Sequence, residues 1–107
     1  MEEQSVFIEY FGTSPLMKVL DFLIEGKDFD YSMTEIARKS GVGWSSFNRV
    51  WQHLLNKDIV VRTRTIGNAK LFQLNTKNPW VKELIRIDKL ITKIETEKMF
   101  SQKEIVA

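Results

Sequence analysis

Between Ser32 and Asn56 the sequence leaves the chain little freedom. Ser32 stands three residues before Glu35, the spacing of a capping box, and predicts the start of a short helix from Met33 to Ser40. Gly41 falls where a helix ends in a left-handed residue, a conformation that strains any side chain with a Cβ. After only Gly41, Val42 and Gly43 a second helical pattern begins, Trp44 to about Asn56, with Phe47, Val50, Trp51, Leu54 and Leu55 as its apolar stripe. Two helices joined this tightly must cross steeply, which demands a small residue on the first and an apolar anchor on the second. Ala37 is the small residue, Val42 plugs the angle, and Phe47 and Val50 face back onto the first helix. An ordinary helical hairpin in a three-helix core is the competing reading.

The flanks complete a mainly α chain with a small β-hairpin, an α+β class. Ser14 and Pro15 open a helix whose apolar face is Leu16, Val19, Leu20 and Leu23, widened by Phe22 and Ile24 and stopped by Gly26. Val6 to Phe11 is apolar but too short to assign, and strand and short helix both remain open. Downstream, Ile59 to Thr65 reads as a strand and Lys70 to Leu74 as its return, with Gly67 and Asn68 in a connection expected to span four residues or more. Strict alternation would place Arg62 and Arg64 on one face. Asn78 and Pro79 repeat the cap-then-proline start, predicting a long helix from Trp80 to near Lys98 and a frayed tail from Met99. The expected organisation is an unassigned segment 1–11, a domain over 12–75 and a C-terminal helix within 76–107.

Composition removes whole classes of function. A chain of 107 residues has no room for a nucleotide-binding sheet plus a substrate domain. With no Cys and a single His, a structural zinc site, a disulfide framework and a thiol nucleophile are excluded. No glycine-rich phosphate loop, nucleophile elbow or paired acid and base is present, so neither an enzyme nor a cofactor is expected. Asp28 and Asp30 have no companions at metal-ligand spacing, and no metal is expected. Apolar runs are too short to span a membrane, and the acidic N-terminus lacks the pattern of a signal peptide, so the expected location is cytoplasmic. The net charge of +2 is uninformative until divided along the chain. Residues 1–32 carry −5, residues 33–75 carry +5 and residues 76–107 carry +2. Such asymmetry suggests one surface for an anionic partner, with the acidic block turned away from it.

The stretches GTSPLMKVLDFLIEG, TEIARKSGVGWSSFNRV and LLNKDIVVRTRTIGNAKLFQLN, over residues 12 to about 75, resemble the winged-helix branch of helix-turn-helix proteins. The likeness is greatest to small archaeal MarR-like and TrmB-like transcription regulators. It implies a three-helix core, a basic hairpin or wing, a long C-terminal helix, and binding of double-stranded DNA with the second helix of the pair in the major groove. Gly43 stands where the family usually has Ser or Thr, and Trp44 where it has a polar or basic residue. Trp44 is open to two roles, a stacking contact on a sugar or thymine methyl, or packing.

After the inward residues are removed, the second helix exposes Trp44, Ser45, Ser46, Asn48, Arg49, Gln52 and His53. Arg pairs bidentately with guanine, and Asn or Gln with adenine. Ser45, Ser46, His53 and Lys39 suit phosphates, although Arg38 and Lys39 also suit the C-terminal dipole of their own helix. Arg62, Arg64 and Lys70 flank the hairpin, where they would meet a minor groove or its phosphates, or else guard an edge strand against aggregation. On the terminal helix Trp80, Leu84, Ile87, Ile91 and Ile94 form a heptad stripe expected to build a homodimer, while Val81, Ile85 and Leu90 pack inward. One helix folding back on its own core is the alternative there. The competing function for the whole chain is a winged-helix protein-interaction module in a transcription or replication assembly.

Overall fold

The structure, a computed structural model, describes the backbone of residues 4–106 and the side chains of residues 4–101. Residues 1–3 and 107, which belong to the expected terminal segments, lie outside the described residues. Three serines in extended conformation begin the first three helices. Ser5, Ser14 and Ser32 accept hydrogen bonds from the N–H groups of Ile8, Met17 and Glu35 at 3.1, 3.3 and 3.2 Å. They open α1 (Val6–Phe11), α2 (Pro15–Glu25) and α3 (Met33–Ser40), the last with both halves of its capping box formed. The segment left open between strand and helix is therefore a helix. Its cap also donates from Ser5 Oγ to Asp21 Oδ1 at 2.7 Å, tying α1 to α2.

Gly41 sits at φ +74 and turns the chain from α3 into α4 (Trp44–Asn56), as its place in the sequence requires. Gly26 serves a different need, because a Cβ there would lie 2.6 Å from the Tyr31 hydroxyl. That close approach lets the Tyr31 ring sit 4.8 Å from Phe22. The interior is one apolar cluster. Val19, Leu20, Leu23 and Ile24 of α2 meet Ile36 and Ala37 of α3 and Phe47, Trp51 and Leu54 of α4. Each fully buried side chain of this size contributes about 1.5–3 kcal/mol.

The sheet is antiparallel with order β1-β3-β2, where β1 is Tyr31–Ser32, β2 is Val60–Ile66 and β3 is Ala69–Leu74. Two details correct the sequence expectation. The hairpin closes through Gly67 and Asn68 alone, since Ile66 pairs with Ala69, and positive φ at Gly67 (+60) provides the tight reversal that a longer loop would otherwise need. Thr63 is an extra residue in the ladder, because Arg62 faces Phe72 and Arg64 faces Leu71. Phe72 and Leu71 are consecutive and point to opposite faces, so Arg62 and Arg64 do not share a face as alternation predicted.

The last helix, α5 (Pro79–Val106), begins with Asn78 Oδ1 accepting from the Trp80 N–H at 2.8 Å. Its 28 residues run to Val106, past the end expected near Lys98, and at 1.5 Å per residue span about 42 Å. α5 packs against α1 and buries Val81, Leu84 and Ile91. The expected intermolecular stripe is thus divided. Leu84 and Ile91 turn to their own chain, Trp80 and Ile87 are exposed, and Ile94 is half-buried. Leu90, expected inward, is 54% exposed. The reason is that α1, the element whose type was open, gives α5 a partner within the chain. Among the described residues no helix is long and apolar enough to cross a membrane.

Candidate nucleic-acid interface

The outer face of α4 follows from its inner one. With Phe47, Trp51 and Leu54 buried, the helix period turns Trp44, Ser45, Arg49, Gln52 and His53 to solvent and leaves Ser46 and Asn48 half-buried. Asn48 Nδ2 donates to the Trp44 carbonyl at 3.1 Å, which commits one of its two amide N–H donors and leaves its oxygen available. At the start of α4 the cap is Gly43, which has no side chain to accept from the first-turn N–H groups. Among the described residues no side chain accepts from those donors, which lie at the positive end of the helix dipole.

Trp44 is 52% exposed, yet it is not loose. Its ring stacks on Phe47 at 5.5 Å and 21°, and Phe47 stacks on Trp51 at 5.3 Å and 21°. Trp51 meets Phe72 edge-on at 5.1 Å, so an aromatic column joins the surface of α4 to the sheet. Beside Trp44 opens a groove of about 360 Å³, with Met33 and Thr34 of α3 on one side and Asn68, Ala69 and Lys70 of the hairpin on the other.

Most cations of the middle segment form no ion pair among the described residues. Among the described residues Arg49, Arg62 and Lys70 form no ion pair. The Arg62 guanidinium donates to the Thr65 hydroxyl at 2.9 Å. Arg64 differs, because its Nε and Nη2 donate to Asp30 at 2.9 and 3.1 Å while the Thr63 hydroxyl donates to the same carboxylate at 2.6 Å. The Arg64 guanidinium, followed by the Thr63 hydroxyl, holds the Asp30 carboxyl below the usual carboxylate range. Thr63 reaches Asp30 because it is the bulged residue. Lys39 lies elsewhere, with its ammonium 5.3 Å from the centre of the Tyr31 ring, and it lines a separate cleft of about 480 Å³ against α1 and α2.

Among solved structures the chain is similar to a MepR mutant from a multidrug-resistant S. aureus isolate, at TM-score 0.65 and 16% identity, over 91% of this chain and 69% of that one. It is similar to NMB1585, a MarR family regulator from Neisseria meningitidis, at TM-score 0.52 and 16% identity, over 94% and 80%. It is also similar to Sso10a-2, a DNA-binding protein from Sulfolobus solfataricus, at TM-score 0.52 and 17% identity, over 83% and 88%. The chain has a winged-helix fold. At these identities the likeness is one of fold. No family model matches the chain, and no curated relative matches its sequence.

In the winged helix the hairpin β2–β3 is the wing, and the sequence-predicted residues divide into three groups. Trp44 and Lys70 border one groove, and Ser45, Ser46, Asn48, Arg49, Gln52 and His53 follow from Trp44 along α4. Arg62 and Arg64 sit on opposite faces of the wing. Lys39 belongs to the α1–α2 side. The sequence offers Asp30 only as a cation ligand beside Asp28 and gives no local signal of its contact with the wing. Among the described residues no cluster suited to a metal is found. The acidic block is also not wholly separate from the basic one, since Asp30 belongs to the first and is bound to the wing.

Proposed function

We propose that this chain is a sequence-specific regulator of transcription that binds double-stranded DNA as a homodimer. The observation that carries the reading is the open side of α4, with its uncapped start and polar face, where Trp44 shares a groove with Lys70 of the wing and where, among the described residues, Arg49, Arg62 and Lys70 form no ion pair. In this reading α4 enters the major groove, where Asn48 offers its oxygen and Arg49 and Gln52 offer donors to base edges. Ser45, Ser46 and His53 take phosphates near them, and Lys39 does so from the flank. Arg62 and Lys70 carry the wing onto the backbone or minor groove, while Arg64 is occupied by Asp30. The exposed Trp80, Ile87 and Leu90 with half-buried Ile94 give α5 an apolar face for a second copy, and two copies would match a pseudopalindromic site.

Titrating duplexes selected from a random pool across a range of salt tests this. Affinity should fall steeply with salt, and Arg62→Ala should reduce the slope of log affinity against log salt by about one phosphate contact. Arg49→Ala should cost about 1–3 kcal/mol and relax preference at one base pair. Affinity indifferent to salt, or no affinity, would overturn the reading. Exposed Trp44 at the mouth of an open groove favours the second reading, a protein-interaction module. That reading gains if a partner is captured equally by the Arg49→Ala and Arg62→Ala variants.

A further inference from the structure

We infer that Trp44 selects thymine at one position of the bound site, through the methyl group and O4 that thymine shows in the major groove. The inference rests on the DNA-binding reading above and names the chemistry of one of its contacts.

Three features converge on it. Trp44 is the first residue of α4, and residues at the N-terminus of an inserted helix are those that reach base edges. Its ring is held by the stack through Phe47 to Trp51, with centroids 5.5 and 5.3 Å apart, so little rotamer freedom remains to be lost on contact. Its surroundings are open on the approach side. Nothing lies within 4 Å of where a Cβ on Gly43 would stand, and the groove beside the ring has Lys70 on its far rim, where a strand's phosphate would be met by a cation.

The indole presents an apolar ring and one N–H donor, and no acceptor. Thymine is the base whose major-groove edge combines an apolar methyl with an acceptor, O4. Cytosine places a donor, the N4 amino group, where the indole also has only a donor. Guanine shows two acceptors without a methyl, and adenine shows an acceptor and an amino donor without one.

The test replaces each thymine of a selected duplex, one at a time, by deoxyuridine, which lacks only the methyl. One position per half-site should weaken binding about fourfold, the loss expected for one buried methyl. Cytosine opposite guanine at that position should weaken it about tenfold or more. In Trp44→Ala, whose folding is checked by circular dichroism, thymine and deoxyuridine should bind alike at that position, whereas Trp44→Phe should keep the methyl effect. If no deoxyuridine weakens binding, or the loss persists unchanged in Trp44→Ala, the assignment to Trp44 is overturned while DNA binding stands. If no duplex is bound at all, the DNA-binding reading falls and this inference with it.

Discussion

Trp51 shows how a single residue can be both well placed and in conflict. Its ring is completely buried between Phe47 and Phe72, yet its Nε1–H has no acceptor among the described residues. An unsatisfied buried donor costs about 1–3 kcal/mol, and a phenyl ring would remove it at the expense of some packing. Trp51→Phe should therefore destabilise by no more than about 2 kcal/mol in urea titrations, against about 3–5 kcal/mol for Trp51→Ala. A loss above about 3 kcal/mol for Trp51→Phe would show that lost packing outweighs any relief of the buried donor. That Trp51 points inward was legible from helical spacing. The role of Asp30 was not, because its partner Arg64 lies 34 residues away and the contact depends on where a sheet places both. No local pattern contains that information.

The turn between α3 and α4 sets two glycines in contrast. Gly41 has φ +74, so a Cβ there is strained even though nothing crowds it, whereas Gly43 has φ −63 and ψ 150, which any residue adopts. Gly41→Ala should cost about 1–2 kcal/mol in chemical denaturation. Gly43→Ser should gain a few tenths by capping α4. A Gly41→Ala variant as stable as the parent would remove the strain argument. Helices of this kind are readable because caps, glycines and apolar spacing act within a few residues, and α2, α3 and α4 came out of the sequence with their bounds nearly intact. The wing did not, since its bulge at Thr63 and its two-residue turn reflect pairing across strands. The same holds for α1, six residues whose helix is specified mainly by the Ser5 cap and a stop at Gly12.

At the scale of the molecule, the join between α2 and α5 brings carboxylates together. Burial, then the charge of Asp21, raises the pKa of both Glu25 and Asp88, with Asp88 adding to the shift of Glu25 and Lys27 opposing that of Asp88. A carboxyl that holds its proton more tightly when folded makes acidification favour folding, across the window just above its ordinary value of 4.5 for Glu25 and 3.8 for Asp88. Asp30 and Glu35, whose pKa values are lowered, act in the opposite sense as they protonate below their ordinary values of 3.8 and 4.5. The double variant Glu25→Gln with Asp88→Asn should melt higher than the parent at neutral pH, and the gain should shrink as the pH falls toward those values. A gain that does not vary with pH would assign it to packing instead. On the far side of α5, charge at the apolar face tests assembly. Ile87→Glu with Leu90→Glu should convert a dimer to a monomer in analytical ultracentrifugation while leaving the core intact, because both residues are exposed in the single chain. An unchanged mass would place the interface elsewhere. The three tryptophans happen to mark three separate parts of this molecule, Trp44 at the tip of α4, Trp51 in the core and Trp80 at the root of α5. The protein therefore carries its own optical labels. Acrylamide should quench the two outer indoles and spare the inner one, and whichever outer emission a ligand shields reports which end of the molecule it has covered.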